Sequence, residues 1–282
     1  MILPAFYVDD VIKNAVKEDI NYLDEATAFV IPEDAETSAY FVSKADGVLC
    51  GIEIAARVFE LLDPDIKIEI CKKDGDELKK GDLIARFRGK TQALLMGERT
   101  ALNLVQHLSG VATQTREAVK LVEGTGVSIA DTRKTLPGLR AMQKYAVMCG
   151  GGKNHRFNLS DAAMLKDNHI DAGGGILNTV SLLRKHIGHT VKIEVETRNF
   201  DEVKQAVEAK ADIIMLDNMT ADEMAECVKY IDGRALTEAS GNITLDNIRE
   251  KASCGVDIIS MGSLTHSVKA FDISMKIENG NG

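Results

Sequence analysis

Residues 191–218 read VKIEVETRNFDEVKQAVEAKADIIMLDN, and one repeating unit of the fold is legible in them. Val191–Val195 and Ile213–Leu216 are short apolar runs, and helical periodicity fills the space between them. Asn199-Phe-Asp-Glu202 reads as a capping box, in which a side chain at each end of the motif satisfies an amide left open at the helix start. An apolar strand, an amphipathic helix and a second apolar strand make a βαβ unit. Its strands lie parallel in a sheet covered on both faces.

Working outward, the same pattern recurs. Further apolar runs lie at Val127–Ala130, Ala162–Leu165, Ala235–Leu236 and Val256–Ser260; Thr220-Ala-Asp-Glu223 is a second capping box, and Thr244 opens a third helix. The later runs repeat roughly every 20–23 residues. Six or seven such units favour a TIM-like parallel β/α barrel, incomplete in its strand count, with an open sheet as the alternative that the count alone leaves standing. Each run ends in polar groups: Asp131-Thr-Arg133-Lys134, Lys166-Asp-Asn168, Glu194-Val-Glu196, Asp217-Asn218, Glu238-Ala-Ser240-Gly241-Asn242 and Met261-Gly262-Ser263. In β/α barrels the C-terminal strand ends form the active-site face, so these groups are expected to converge.

The first ~110 residues lack this rhythm. Asp9–Ile20 and Ile52–Leu62 read as amphipathic helices, Ile66–Cys71 and Asp82–Arg88 as alternating strands, and Asp74-Gly75-Asp76 and Lys80-Gly81-Asp82 as turns. The expected fold class is therefore α/β, the barrel being preceded by an N-terminal α+β open-faced sandwich domain. Residues 1–110 form that domain and 111–267 the barrel, while the tail 268–282 packs back on the first domain. Thr91–Val122 reads as a long helix broken near Ser109-Gly110, and Thr265–Ile277 resumes helical patterning.

Composition removes several classes of function. The chain of 282 residues carries a net charge of -9, which argues against broad nucleic-acid binding. No apolar run reaches the roughly 18–20 residues of a membrane span, and no secretory leader is legible at the start. Five cysteines, Cys50, Cys71, Cys149, Cys227 and Cys254, lie far apart with no CxxC pair. That pattern argues against a disulfide framework or zinc cluster and for the cytoplasm.

Against the acidic whole, residues 127–170 hold seven Lys/Arg and only three Asp/Glu. Arg133, Lys134, Arg156 and Lys166, with His155, gather cations at strand ends and in a Gly-Gly loop. Guanidinium forks match carboxylates and phosphates, so a small, multiply anionic substrate is expected. Glu196 and Asp217 close consecutive strands and can hold a divalent ion, exchange protons or pair with lysine. Ser240-Gly241-Asn242 and the segment Ser260-Met261-Gly262-Ser263 follow the last strands, where small residues let backbone amides cradle a phosphate. Arg99 reads from sequence alone as a solvated helix arginine.

The motifs GERTALN (97–103), DTRKT (131–135), GGKNHRFNLSD (151–161), LKDNH (165–169), EVET (194–197), MLDN (215–218), EASGN (238–242) and SMGSLTHS (260–267) together resemble the decarboxylating quinolinate phosphoribosyltransferases, also called nicotinate-nucleotide pyrophosphorylases. The resemblance runs through essentially the whole chain in order; Asn242 stands where some members carry a second glycine. It implies transfer of phosphoribosyl from phosphoribosyl pyrophosphate to quinolinate, with Mg²⁺, giving nicotinate mononucleotide, pyrophosphate and CO₂ in NAD biosynthesis. By the same resemblance Arg133, His155, Arg156 and Lys166 line the dicarboxylate site, and Arg99 joins them from the partner subunit of a homodimer. Lys134 and Lys166 face the donor phosphates, Thr132 belongs to the substrate-binding set, Glu196 and Asp217 hold Mg²⁺–pyrophosphate and the ribose hydroxyls, and the two late loops hold the 5′-phosphate. The catalytic set would be Lys134, Lys166, Glu196 and Asp217. Three alternatives are weighed: a sister enzyme taking nicotinate or another pyridine acid, a Schiff-base aldolase using Lys166, and a lipoyl-like carrier built on Lys80-Gly-Asp-Leu-Ile-Ala85.

Overall fold

The computed structural model describes residues 3–278. Along the first half the elements are α1 Ala5–Ile20, α2 Glu25–Val30, β1 Glu36–Ser43, β2 Gly47–Val48, α3 Ile52–Leu62, β3 Lys67–Ile70, β4 Glu77–Leu78, β5 Leu83–Lys90 and α4 Thr91–Leu121. There follow β6 Ser128–Ala130, α5 Arg140–Cys149, β7 Ala163–Leu165, α6 Asp167–Ala172, α7 Ile176–Arg184, β8 Ile193–Thr197, α8 Phe200–Glu208 and β9 Ile213–Asp217. The last are α9 Ala221–Ile231, β10 Leu236–Ser240, α10 Ile248–Ala252, β11 Ile258–Ser260, α11 Ser263–His266 and β12 Ile273–Ile277.

The chain forms two compact units. The first comprises residues 1–116, 136–151 and 267–282, as far as they are described. Its four-stranded sheet has the order β12-β1-β5-β3, antiparallel throughout, with a register shift at Phe41/Val42. β1 alternates burial along its length, which puts Phe41 on the inner face. There it meets Phe87 of β5 and Phe59 of α3, with ring centroids 4.9 Å and 6.1 Å away, in tilted edge contacts that aromatic quadrupoles favour. α3 covers this face because Ile52, Ile54, Ala55, Val58 and Phe59 share its buried side.

Two sequence expectations fail here for tertiary reasons. α4 runs unbroken through Ser109-Gly110. Ser109 is not a breaker because its Oγ accepts from the Cys50 amide and donates to the Cys50 carbonyl. Gly110 is needed for space, since a Cβ there would lie 2.3 Å from the Lys269 carbonyl oxygen. The tail, expected to be helical as far as Ile277, is helical only over α11 and ends as β12. Its backbone finds partners along β1, from Ala39↔Ile277 to Ser43↔Ile273, and such pairing overrides a local helical pattern.

The second unit comprises residues 117–135 and 152–266. Its six strands are all parallel, in the order β7-β8-β9-β10-β11-β6. From β7 to β11 every crossover moves one place in the same direction. Right-handed crossovers of that kind put their helices on one face and curl the sheet. The first strand, β6, then lies beside the last, β11, leaving β6 and β7 as the two edges. The second unit is thus an incomplete β/α barrel, and the first is α+β. The expected box is complete at α9, where Thr220 accepts from the Glu223 amide and Glu223 from the Thr220 amide; at α8 only its first half forms, Asn199 accepting from the Glu202 amide while the Glu202 carboxylate accepts from the Arg198 amide. The third helix starts at Ile248, four residues beyond Thr244.

Candidate active site

The strand pleat decides which side chains meet inside this unit. Register aligns Met164 with Glu194, Glu196 with Met215, Met215 with Glu238, and Asp217 with Ser240. Alternate residues share a face, so Glu194 and Glu196, Met215 and Asp217, and Glu238 and Ser240 point the same way. All of these but the buried Glu194 line a cavity of about 520 Å³ at the C-terminal ends of the strands. The cavity gathers most of the expected residues: Thr132, Arg133, Lys134, His155, Arg156, Lys166, Glu196, Asp217, Ser240, Gly241, Asn242 and Ser260 all line it. Arg99, Met261, Gly262 and Ser263 do not line it. Arg99 is exposed on α4 in the first unit, Met261 is buried, and Ser263 begins α11.

The floor holds a buried polar cluster in which His155 meets Glu194 and Glu238, two strand-end carboxylates that were given no role from the sequence. His155 Nε2 lies 3.1 Å from Glu194 Oε2 and 3.6 Å from Glu238 Oε1. Its Nδ1 accepts from the Arg156 amide at 2.8 Å, which places the ring proton on Nε2, facing the carboxylates. The imidazole therefore serves the floor as a donor. Burial first, then the Glu194 charge, pushes Glu238 up to about 7. Asp131 fixes this arrangement from behind, accepting from the His155 amide at 2.8 Å, while Lys153 bridges in parallel to Ala130 at the edge of β6.

Above the floor stand the cations. Arg156 donates to the Ala162 carbonyl and reaches Met164 Sδ at 3.5 Å. Burial, then the neighbouring Arg133 guanidinium, pulls its pKa down from the ordinary arginine value. Two guanidinium groups held close enough to oppose one another are a site prepared for anions, since a dicarboxylate cancels the repulsion and fills both forks. Lys166 is ion-paired with Glu196 and 45 % exposed, the opposite of the dry pocket that a Schiff-base lysine uses. Its backbone is set by His169, whose Nδ1 accepts from the Lys166 amide at 3.0 Å. Lys134 is steadied by Thr265 Oγ1, which donates to its carbonyl at 2.7 Å.

The far rim is polar and uncharged apart from Asp217. Asn218 Nδ2 donates to Asp217 Oδ2 at 2.7 Å, and Asn218 Oδ1 accepts from Asn242 Nδ2 at 2.9 Å. This chain turns tightly: Asn218, Gly241 and Asn242 have φ of 56°, 89° and 50°. Asn tolerates the left-handed region better than most residues, so Asn242 can stand where some relatives of the motif have glycine. Gly241 favours glycine, because its φ is left-handed and a Cβ would come within 2.3 Å of Asn218 Oδ1, forcing that side chain to shift.

Of the lining residues, Met164 and Met215 were missed from the sequence, and Asn218 and Glu238, though among the strand-end groups expected to converge, were given no site role. Period-two counting back from Lys166, Asp217 and Ser240 would have found Met164, Met215 and Glu238. Asn218 comes in through its left-handed turn, which the sequence does not announce.

Comparison with known proteins decides the family. Residues 24–109 match the quinolinate phosphoribosyl transferase N-terminal domain, and residues 111–276 match the C-terminal domain of the same enzymes. The chain belongs to the quinolinate phosphoribosyltransferase family. It is 46 % identical to a probable nicotinate-nucleotide pyrophosphorylase (carboxylating) of Bacillus subtilis, over 94 % of this chain and 91 % of that one. A quinolinate phosphoribosyltransferase (decarboxylating) of Nicotiana tabacum is 40 % identical, over 98 % of this chain and 83 % of the relative. The crystal structure of NadC from Streptococcus pyogenes superposes with a TM-score of 0.95 at 41 % identity, covering 98 % of both chains. A quinolinate phosphoribosyltransferase needs a cavity for two carboxylates beside one for phosphates and a sugar. Here the Arg133–Arg156 pair and the Ser240–Asn242 rim stand in one cavity.

Proposed function

We propose that this cavity transfers the phosphoribosyl group of phosphoribosyl pyrophosphate to the ring nitrogen of quinolinate, releasing pyrophosphate, CO₂ and nicotinate mononucleotide, a step of NAD biosynthesis. The observation that carries the reading is the opposed Arg133 and Arg156 pair in the cavity. A pyridine dicarboxylate offers two anionic groups at fixed spacing, and a nicotinate acceptor offers only one.

The residues divide the work. Arg133 and Arg156 orient quinolinate by bidentate pairing, and the His155–Glu194–Glu238 floor keeps Arg156 in place through the shared backbone at 155–156. Lys134 and Lys166 face the donor, where they stabilise the charge of departing pyrophosphate. Glu196 and Asp217 lie where positive charge develops on the ribose as that bond lengthens. Ser240, Gly241 and Asn242 supply a tight backbone turn for the 5′-phosphate. After the pyridine nitrogen attacks the anomeric carbon, the pyridinium accepts the electron pair left by the departing carboxylate. No side chain forms a covalent bond, so positioning and electrostatics carry the rate.

Mg²⁺ fits the donor set. Two carboxylates on consecutive strands with a substrate polyphosphate satisfy a hard cation that keeps several oxygen ligands of its own. Glu196 and Asp217 would hold it, partly through substrate, and when bound it would neutralise pyrophosphate charge. A homodimer supplying Arg99 from the partner belongs to the same proposal. It is supported by the exposure of Arg99 on α4 and of Phe6, Tyr22 and Phe29, at 75 %, 83 % and 79 %, on the first unit. A cytoplasmic location is supported by the dispersed cysteine pattern. Among the described residues no helix is long and apolar enough to cross a membrane.

The test is steady-state kinetics with quinolinate and nicotinate as rival acceptors, CO₂ and pyrophosphate being measured together. Wild type should release both in equal amounts with quinolinate only. Arg133→Ala should raise the quinolinate KM by at least about tenfold, the loss of one charge-assisted pair. Near wild-type kinetics in that variant would remove the assignment.

A further inference from the structure

Outside the cavity, one cluster of reactive groups has no part in phosphoribosyl transfer. Cys50, Asp74 and Cys149 bring their Sγ and carboxylate atoms within 4.8 Å of one another, inside the first compact unit. The two cysteines are far apart in sequence and meet only because the β2–α3 junction packs against the end of α5. Both are rigidly presented. Ser109 holds the Cys50 amide and carbonyl, and Arg116 donates to the carbonyls of Cys149 and Gly150.

The two thiols differ in the way a reactive pair requires. Cys50 is fully buried, whereas Cys149 is half-buried. Hydrogen bonding from Cys50 lowers the Cys149 pKa against its own burial, while burial raises that of Cys50. The Asp74 charge opposes the Cys149 thiolate. That charge is met by the Gly51 and Ile52 amides at 2.9 Å and 3.0 Å on Oδ1 and by the Tyr145 hydroxyl at 2.9 Å on Oδ2. With three hydrogen bonds already on Asp74, the cluster offers a metal ion at most two sulfurs and one carboxylate oxygen, short of the four ligands a structural zinc takes.

We propose that Cys149 and Cys50 form a redox-active dithiol that small-molecule disulfides oxidise, Cys149 attacking and Cys50 resolving. The Cys149 thiolate attacks one sulfur of the disulfide, forming a mixed disulfide and expelling one thiolate. Cys50 then attacks Cys149 Sγ, its proton leaving with the second small thiol, and the Cys50–Cys149 bond closes. The protein loses two protons and two electrons, and one small disulfide becomes two thiols. Attack falls to Cys149 because a partly exposed, lowered thiol reacts first, and Cys50 resolves because it is next to it and shielded from solvent. The bond fastens the end of α5, from which the chain continues through Gly150 and Gly151 towards His155 and Arg156. This inference stands apart from the phosphoribosyl reading, and its test uses no substrate.

The reduced full-length protein is incubated with oxidised glutathione and followed by intact mass and non-reducing peptide mapping. The expected result is a loss of two hydrogens, a peptide linking Cys50 to Cys149, and full reversal by dithiothreitol. Cys50→Ser should stop at one glutathionyl adduct on Cys149, and Cys149→Ser should form neither the link nor an adduct on Cys50. Because wild type carries the primary readout, a variant that fails to fold does not rescue the idea. Absence of the 50–149 peptide in wild type overturns it. So does native mass spectrometry showing bound zinc, with the two thiols reactive only after chelation.

Discussion

Replacing Glu238 by glutamine should make the protein more stable at alkaline pH and leave it unchanged at acid pH. Glu238 is 1 % exposed, and burial with the Glu194 charge beside it pushes its carboxyl up from 4.5 to about 7. Below about 4.5 both folded and unfolded chains hold the proton, and the group costs nothing. Between 4.5 and 7 the folded state holds more protons than the unfolded one, so stability falls as pH rises. Above 7 the ionised, buried carboxylate carries its whole penalty. The shift corresponds to on the order of 3 kcal/mol, at about 1.4 kcal/mol per pH unit. Gln keeps the shape and cannot ionise, so it removes that penalty. Urea denaturation of both proteins between pH 4.5 and pH 8.5 measures it. The difference in unfolding free energy should grow from near zero at the acid end towards about 3 kcal/mol at the alkaline end, following the titration of Glu238. A difference that is flat with pH, or a Gln variant less stable at pH 8, would refute the argument that burial holds a proton on this floor.

Gly241→Ala should weaken binding of the phosphoribosyl donor and destabilise the protein by about 2 kcal/mol, from a Cβ crowding Asn218 at a left-handed φ. Donor KM and thermal unfolding check this together, and an alanine variant with unchanged donor KM would move the phosphate away from this turn. Removing divalent cations with EDTA should abolish pyrophosphate release, and Mg²⁺ should restore it; residual activity near wild type in EDTA would remove Glu196 and Asp217 from any metal role.

Much of the second unit was legible because its information is local. A run such as Ile213–Leu216 followed by Thr220-Ala-Asp-Glu223 specifies strand, cap and helix within a dozen residues of chain. The cations at the strand ends were found for the same reason, since parallel strands bring their C-terminal ends to one place. The helix across Ser109-Gly110 and the strand β12 were misread because distant partners decide them. Ser109 bonds with Cys50, Gly110 makes room for Lys269, and β12 has β1. None of those contacts leaves a periodic trace.

By itself the sequence of this protein determined a βαβ rhythm, a cationic segment in an acidic chain, and motifs enough to place it in its family. Only the tertiary structure decided that Glu238 and Glu194 lie under His155, that Arg156 stands against Arg133, and that Cys50 meets Cys149. The physical reason is that capping, periodicity and charge density are properties of neighbours along the chain. Burial, repulsion between like charges and the approach of two thiols depend on residues that folding alone brings together.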